Sequence, residues 1–415
     1  MKSLLPRNIE ASCKEHLEYF PCLLIEGARQ VGKSTLAHQL SRESDTVLTL
    51  DDDSVRAAAI ADPQGFVESA GSAMLVIDEI QRCPDLTLAI KASIDRDRRP
   101  GRFILTGSSR LLRARGTVDS LAGRVARFSL FGLSQGEQQR HRDDFISRVV
   151  DDVTGLASTS SELKRTDYAQ TLAKGSFPDA IEASDRLRAT WLDSYLAGLV
   201  QRDMPDLRRQ FEPDRAWSIL RAIAARPAAE LVKARIATEA SLPAGTITGY
   251  LDLLHDVGLV ASLPPWTPNL TKREVGRHKT LVIDSALAMR LSRTTAAQIA
   301  KIEHGEVLGA LLEAFVAAEL LRQQTWSNTD FRIFHFRDRA GLEVDFVIEL
   351  DDGSIIGIEV KASATYSRQQ FTGLKTMRDG LGERFVAGIV LGTAVTGVRH
   401  SDRLYGVPIS VLWEA

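Results

Sequence analysis

The chain has 415 residues, 44% hydrophobic and 26% charged, the mix of a globular protein with more than one domain. Its 52 Lys and Arg against 54 Asp and Glu give a formal net charge of −2, which excludes a whole-molecule basic footprint for nucleic acid. Cys13, Cys22 and Cys83 are too few and too scattered for a disulfide framework or a Cys-rich zinc site. With no signal-like apolar core and no run of ~18 apolar residues, the sequence reads as cytoplasmic, with no membrane partner.

In chain order, residues 20–133 alternate short apolar runs with amphipathic segments. CLLIEG (22–27), TVLTLDD (46–52), AMLVIDEI (73–80), RFILTGSS (102–109) and VARFSLFGL (125–133) read as strands, with helical segments between them. Runs of this kind suit a mainly parallel sheet covered by helices, so residues 1–140 are expected to form an α/β domain. Residues 141–212 change character and read as a helical linker or lid. A Ser/Thr-rich stretch at 154–166 is expected to be a mobile loop, and Pro205 to end the helical pattern that starts near Ser184. Residues 213–295 carry three helical patterns, with Gly258 as a C-cap after the third. Two strand-like runs, LVASL and KTLVID, then flank the basic segment TKREVGRHK (271–279). Helices followed by such a ribbon predict a winged helix. Residues 296–415 form another α/β unit. A long helix precedes the strands FRIFHFRD, LEVDFVIEL and SIIGIEVKA, with DDG as a hairpin turn between the last two. A further helix and two strands close it.

The first chemical signal is GARQVGKS, Gly27 to Ser34, which follows an apolar strand and opens a helix. Gly27 and Gly32 let backbone N–H groups curl around phosphate oxygens, and the helix N-terminus adds partial positive charge. Gly27, Ala28, Arg29, Gln30, Val31, Gly32, Lys33, Ser34 and Thr35 are the candidate ATP-binding residues. Lys33 would reach the β- and γ-phosphates, and the Ser34 hydroxyl would complete a Mg²⁺ shell. In LVIDEIQ (75–81), Asp78 suits outer-shell Mg²⁺ binding and Glu79 suits orienting and polarising the attacking water. An Asp at the end of a buried strand is costly unless a metal or hydrogen bonds satisfy it. FILTGSS (103–109) ends another strand in hydroxyls, where Ser108 or Ser109 could sense the γ-phosphate, with Thr106 behind them. Arg124, in SLAGRVARF, could act as a finger on the γ-phosphate of a neighbouring subunit in a homo-oligomer. Arg110, Arg113 and Arg115 are its rivals, and an internal ion pair is the alternative.

The order GARQVGKS, LVIDEIQ, ILTGSS, SLAGR resembles the AAA+ ATPases of prokaryotes. More narrowly, it resembles the clade that joins this ATPase to a winged helix and a C-terminal domain of unknown function with a nuclease-like core. FPDAIEASDRLRATWLDSYLAGLVQRDM (177–204) and LPPWTPN (263–269) are also similar to that family. The resemblance implies ATP and Mg²⁺ as cofactors. It departs at LVIDSALA (281–288), where Ser285 and Ala286 replace the usual turn residues.

A winged helix suggests DNA, and its recognition helix would be roughly 244–256. That segment offers Thr246, Thr248, Tyr250 and His255 beside Asp252 and Asp256, but no Lys or Arg to meet phosphates. The basic wing of Lys272, Arg273, Arg277, His278 and Lys279 opposes that reading. In the C-terminal unit, Glu343 and Asp345 share one face of a strand, and Glu359 and Lys361 one face of the next. With Glu313 from the preceding helix they make a candidate Mg²⁺ site, in which Lys361 would position metal-bound water or stabilise charge. Asp, about a dozen residues, then Glu-x-Lys resembles the core of the PD-(D/E)XK nucleases. Two functions follow as expectations: an ATP-driven protein acting on or near DNA, or a nucleotide-switched module that binds a protein partner through an inactive nuclease-like domain.

Overall fold

The five apolar runs of the first third become strands of one sheet: β1 (Cys22–Gly27), β2 (Thr46–Thr49), β3 (Leu75–Asp78), β4 (Phe103–Ser108) and β5 (Val125–Leu130). The structure, a computed structural model, describes residues 4–108, 121–207, 211–267, 276–338 and 340–414, with Ser108 and Asp206 described in the backbone only. Backbone contacts divide the chain into two units, residues 1–133 with 256–258, and residues 134–255 with 259–415.

In the first unit all five strands are parallel, in the order β2-β3-β4-β1-β5. Helix α1 (Glu10–Leu17) precedes the sheet, and α2 (Lys33–Leu40), α3 (Asp53–Ala61), α4 (Pro63–Glu68) and α5 (Leu86–Arg96) lie between its strands. Residues of β1 are buried throughout, as a strand covered on both faces must be. In β5 the pattern alternates, as befits an edge. Leu24, Ile77, Leu105, Ile90 and Ile94 share the core on one side of the sheet. The crossovers place β4 between β1 and β3, so the C-terminal ends of three central strands lie side by side. That is where ligands bind in open parallel sheets.

In the second unit, after two short helices at Gln135–Gln139 and Phe145–Asp151, come helices α6 (Arg165–Lys174) and α7 (Asp185–Gly198). Pro205 does not end the second of these. The chain passes through a π-helical turn, Leu199–Asp203, in which the Met204 N–H reaches the Leu199 carbonyl, and continues helically over Met204–Leu207. The wider turn absorbs the proline, which has no N–H to place. The stretch at 154–166 is likewise tied down. The Ser161 N–H donates to the Val395 carbonyl at 2.8 Å, and the Gly397 N–H to the Thr159 carbonyl at 2.7 Å.

Three helices follow, α8 (Pro213–Ala224), α9 (Lys233–Glu239) and α10 (Ala244–Asp256). Gly258 comes after α10 with φ of 72°. Strands β6 (Ala229–Glu230), β7 (Val260–Leu263) and β8 (Lys279–Val282) form an antiparallel sheet in the order β6-β8-β7. The departing turn at LVIDSALA has a structural use. Asp284 caps helix α11 (Ser285–Leu291) through the Leu287 N–H at 2.8 Å, and accepts both the N–H and the hydroxyl of Ser176 at 2.7 Å.

Helix α12 (Gly305–Gln323) then precedes a mixed six-stranded sheet. Its strands are β9 (Phe331–Arg337), β10 (Glu343–Leu350), β11 (Ile355–Lys361), β12 (Phe385–Gly392), β13 (Val398–Ser401) and β14 (Leu404–Pro408), with helix α13 (Thr372–Leu381) after β11. The order is β13-β14-β12-β11-β10-β9. Strands β9 to β11 are antiparallel, and β11, β12 and β14 run parallel. Asp351, Asp352 and Gly353 make the expected hairpin turn, with Gly353 at φ 81°. The β9–β10 register shifts between Val344 and Val347. Such a bulge re-aims the side chains beside it.

Candidate functional site

The loop after β1 turns through the left-handed region twice, at Gln30 (φ 60°) and Gly32 (φ 98°), before α2 begins at Lys33. Gly32 suits that turn because a side chain there would be strained. Gly27 has a different reason to be glycine. A Cβ at this position would stand 2.2 Å from the Leu130 carbonyl oxygen of β5, so the approach of the two strands requires it. Arg7 braces the loop, donating to the Val31 and Phe131 carbonyls, each at 2.7 Å. Nothing in the sequence around Arg7 announces this.

Lys33 is buried, and its ammonium donates to the Ala28 carbonyl at 2.9 Å. Burial holds its pKa below the ordinary lysine range, against the pull of Glu79 and Asp78. An ammonium satisfied by a neutral carbonyl gains much from anionic phosphate oxygens. Arg29, Gln30, Ser34 and Thr35 are exposed around it, and Ala28 and Val31 are buried.

Ser34 Oγ donates to Asp78 Oδ1 at 2.8 Å, and Thr106 Oγ1, buried in β4, donates to the same oxygen. Thr106 also accepts the Glu79 N–H at 3.2 Å. One hydroxyl, ranked behind Ser108 and Ser109 in the sequence, thus fixes both acids. Ser109 and the Ser108 side chain lie outside the described residues. Glu79 sits at φ 58° and ψ 45°, an uncommon conformation for a residue with a side chain, and its carboxylate accepts from Gln81 Nε2. The donor set fits Mg²⁺: a hydroxyl and a carboxylate oxygen at the mouth of the phosphate loop are hard oxygen ligands. Arg124 pairs with Asp95 (Nε to Oδ1, 2.6 Å) and donates to the Ala122 carbonyl at 3.1 Å. Arg110, Arg113 and Arg115 lie outside the described residues.

A second acidic cluster lies in the other unit. Asp345 on β10 and Glu359 on β11 are buried, and Asp345 Oδ2 accepts the Val360 N–H at 2.8 Å. Lys361 Nζ lies 2.6 Å from Glu359 Oε2 and 3.6 Å from Asp345 Oδ2. Glu313 of α12 joins them, but through a residue the sequence placed in a basic wing. Lys279 Nζ lies 2.7 Å from Glu313 Oε1, 3.1 Å from Glu343 Oε1 and 3.6 Å from Asp345 Oδ1. Its side chain is 3% exposed. Burial opposes its charge, yet Glu313, Asp345 and Glu343 together hold the ammonium above the ordinary lysine range. Burial first, then Asp345, pushes both Glu313 and Glu359 up to about 8. Lysine and acids shift upward together because four carboxylates meet two ammonium groups, so the cluster holds protons as well as lysines. Among the described residues, no group of three or more His, Cys, Asp or Glu side chains is arranged to hold a metal ion.

The described side chains of residues 213–295 that were candidates for DNA contact are largely engaged internally. Tyr250 is buried and its hydroxyl accepts the Glu212 N–H at 2.9 Å. The His255 ring meets the Ser262 hydroxyl at 3.0 Å, and Lys233 donates to Thr248 at 3.0 Å. Lys272 and Arg273 lie outside the described residues.

Comparison with known proteins agrees with the first site. Residues 19–139 match a family described as an AAA domain, and the first unit is accordingly an AAA-type ATPase domain that binds ATP. Residues 165–298 and 308–412 match two domains of unknown function, DUF8612 and DUF4143. The chain is 28% identical over 366 residues to uncharacterized proteins of Mycobacterium bovis and Mycobacterium tuberculosis, covering 87% of this chain and 75% of each relative. Among solved structures, the RuvB Holliday junction branch migration motor of Thermotoga maritima aligns at a TM-score of 0.29 and 20% identity. It covers 67% of this chain and 94% of its own. AMPPCP-bound DnaA of Aquifex aeolicus aligns at 0.28 and 12%, covering 60% and 86%. Among the described residues, no helix is long and apolar enough to cross a membrane.

Proposed function

We propose that the chain hydrolyses ATP as an AAA+ protein, and that the nucleotide state of the first unit controls a second unit made of a winged-helix-like module and a nuclease-like core. The observation that carries this reading is the convergence of Ser34 and Thr106 on Asp78, next to the buried Lys33. The Ser34 hydroxyl and the Asp78 carboxylate would hold Mg²⁺, whose charge would offset that of the β- and γ-phosphates. Lys33 leaves the Ala28 carbonyl for the phosphates. Glu79, held in place by Thr106 and Gln81, accepts the proton of the attacking water. Arg124 serves a neighbouring subunit only if its pair with Asp95 opens.

The second unit acts through a protein partner more readily than through DNA. The described α10 presents no Lys or Arg, Tyr250 and His255 are used internally, and Lys279 is buried among carboxylates. Turnover of Lys33→Ala should vanish with loss of ATP binding, whereas Glu79→Gln should bind ATP and turn it over slowly. Normal turnover in both overturns the ATPase assignment. An ATPase rate that rises severalfold with duplex DNA at low salt favours the DNA reading instead.

A further inference from the structure

We propose that the Lys279 ammonium is the resident cation of the cluster formed by Glu313, Glu343 and Asp345, and that the cluster locks β8 to the six-stranded sheet instead of holding a divalent metal. The proposal rests on the nuclease-like reading of residues 305–414 only in expecting a metal there; the geometry is independent of that reading.

Three carboxylates from two elements, α12 and β10, converge on one Nζ at 2.7, 3.1 and 3.6 Å. A Mg²⁺ ion needs near-octahedral oxygen ligands at about 2.0–2.1 Å. It would have to take the same Glu313 and Asp345 oxygens while standing against a full positive charge, and like charges that close repel strongly. The remaining capacity is also engaged, since Asp345 Oδ2 already accepts the Val360 N–H and faces Lys361, which pairs with Glu359. The carboxylates therefore do not fit a metal while Lys279 stays.

Lys279 is also held where it is. It opens β8, paired to Leu263 of β7 on one side and to Glu230 of β6 on the other. The chain is pinned to β9 both before and after the intervening segment. The His335 N–H donates to the Pro264 carbonyl at 3.0 Å, and the Trp266 N–H to the His335 carbonyl at 2.6 Å. The His335 ring meets the Arg277 carbonyl at 2.9 Å, and the Trp266 indole donates to Glu349 at 2.7 Å. A lysine anchored by backbone on both sides, with a dry side chain, behaves as a fixed ion and not as a gate. Breaking a buried pair of this kind leaves an uncompensated charge, which is what makes it an effective latch.

The test uses the full chain without nucleotide, in an Asp78→Asn background so that the first unit's acid does not take up metal. Melting temperature and Mn²⁺ electron paramagnetic resonance are followed as Mn²⁺ is added. The expected result is no Mn²⁺-dependent rise and no bound-Mn²⁺ signal with Lys279 present. In Lys279→Met, a lower melting temperature should be partly recovered by Mn²⁺, and adding Asp345→Asn should remove that recovery. A rise with Lys279 present that Asp345→Asn abolishes overturns the proposal while supporting the nuclease-like reading. A folded Lys279→Met chain that takes up no Mn²⁺ also overturns it, because the lysine then stands in no cation's place. If Lys279→Met fails to fold, the Lys279-containing chain with and without Asp345→Asn still decides between the outcomes.

Discussion

Asp78 and Asp345 are both acids of mainly apolar strands, and their surroundings solve the same problem in opposite ways. Asp78 is met by two neutral hydroxyls, Ser34 and Thr106, which satisfy its lone pairs without cancelling its charge. Asp345 is met by two ammonium groups, Lys279 and Lys361, and a backbone N–H. The first arrangement leaves a negative site beside exposed Ser34, open to a cation that arrives with a nucleotide. The second supplies its cations from the chain itself, with Lys279 sealed from water and Lys361 half-buried. What surrounds an acid, more than the acid, decides whether it does chemistry or holds a structure together.

The largest effect should come from removing the internal cation. Lys279→Met leaves Glu313, Glu343 and Asp345 facing one another, and should cost about 3–5 kcal/mol in urea unfolding. The Arg variant, which keeps the charge, should cost markedly less.

A pH effect sharpens the same contrast. His335 is buried and its Nε2 donates to the Arg277 carbonyl, while Nδ1 has no hydrogen-bond partner among the described residues. Burial lowers its pKa from 6.5 to about 4. Between those values the unfolded chain binds a proton that the folded chain refuses. Its contribution is therefore complete above pH 6.5 and lost as pH falls toward 4, by about 3 kcal/mol at about 1.4 kcal/mol per tenfold change in proton concentration. The difference between wild type and His335→Asn in urea midpoint across pH 7.5 to 4.5 should show that slope. Equal slopes would place His335 in a wetter site.

In the first unit, Thr106→Val removes hydrogen bonds to both Asp78 and Glu79. At about 1–3 kcal/mol for leaving such groups unsatisfied, ATP turnover should fall by about 5- to 150-fold with little change in ATP affinity. The smallest effect expected is that of Tyr250→Phe, about 1 kcal/mol of stability, with no effect on nucleotide or DNA binding.

The two sites also differ in how far they were legible. The phosphate loop and LVIDEIQ announce themselves because their chemistry is local: Gly32, Lys33 and Ser34 are consecutive, and Asp78 and Glu79 end one apolar run. Thr106 was the harder member, since a hydroxyl inside a strand reads as filler until β4 is known to lie beside β3. Strand alternation and the hairpin bring Asp345, Glu359 and Lys361 together in the sequence, and the helix before them offers Glu313; the structure places all four around two ammonium groups. Lys279 was not legible, because TKREVGRHK reads as a solvated basic run and nothing within it separates the one lysine that β8 carries inward. Its partners are 34 to 66 residues further along the chain, and long-range charge pairing leaves no local periodicity. The proline at 205 and the polar stretch at 154–166 misled for the related reason that tertiary contacts overrode a local signal.

Metal stoichiometry tests the contrast most directly. With a non-hydrolysable ATP analogue and saturating Mn²⁺, the full chain should bind one tight Mn²⁺, lost in Lys33→Ala and in Asp78→Asn and retained in Asp345→Asn. A second tight Mn²⁺ that disappears with Asp345→Asn would contradict the account.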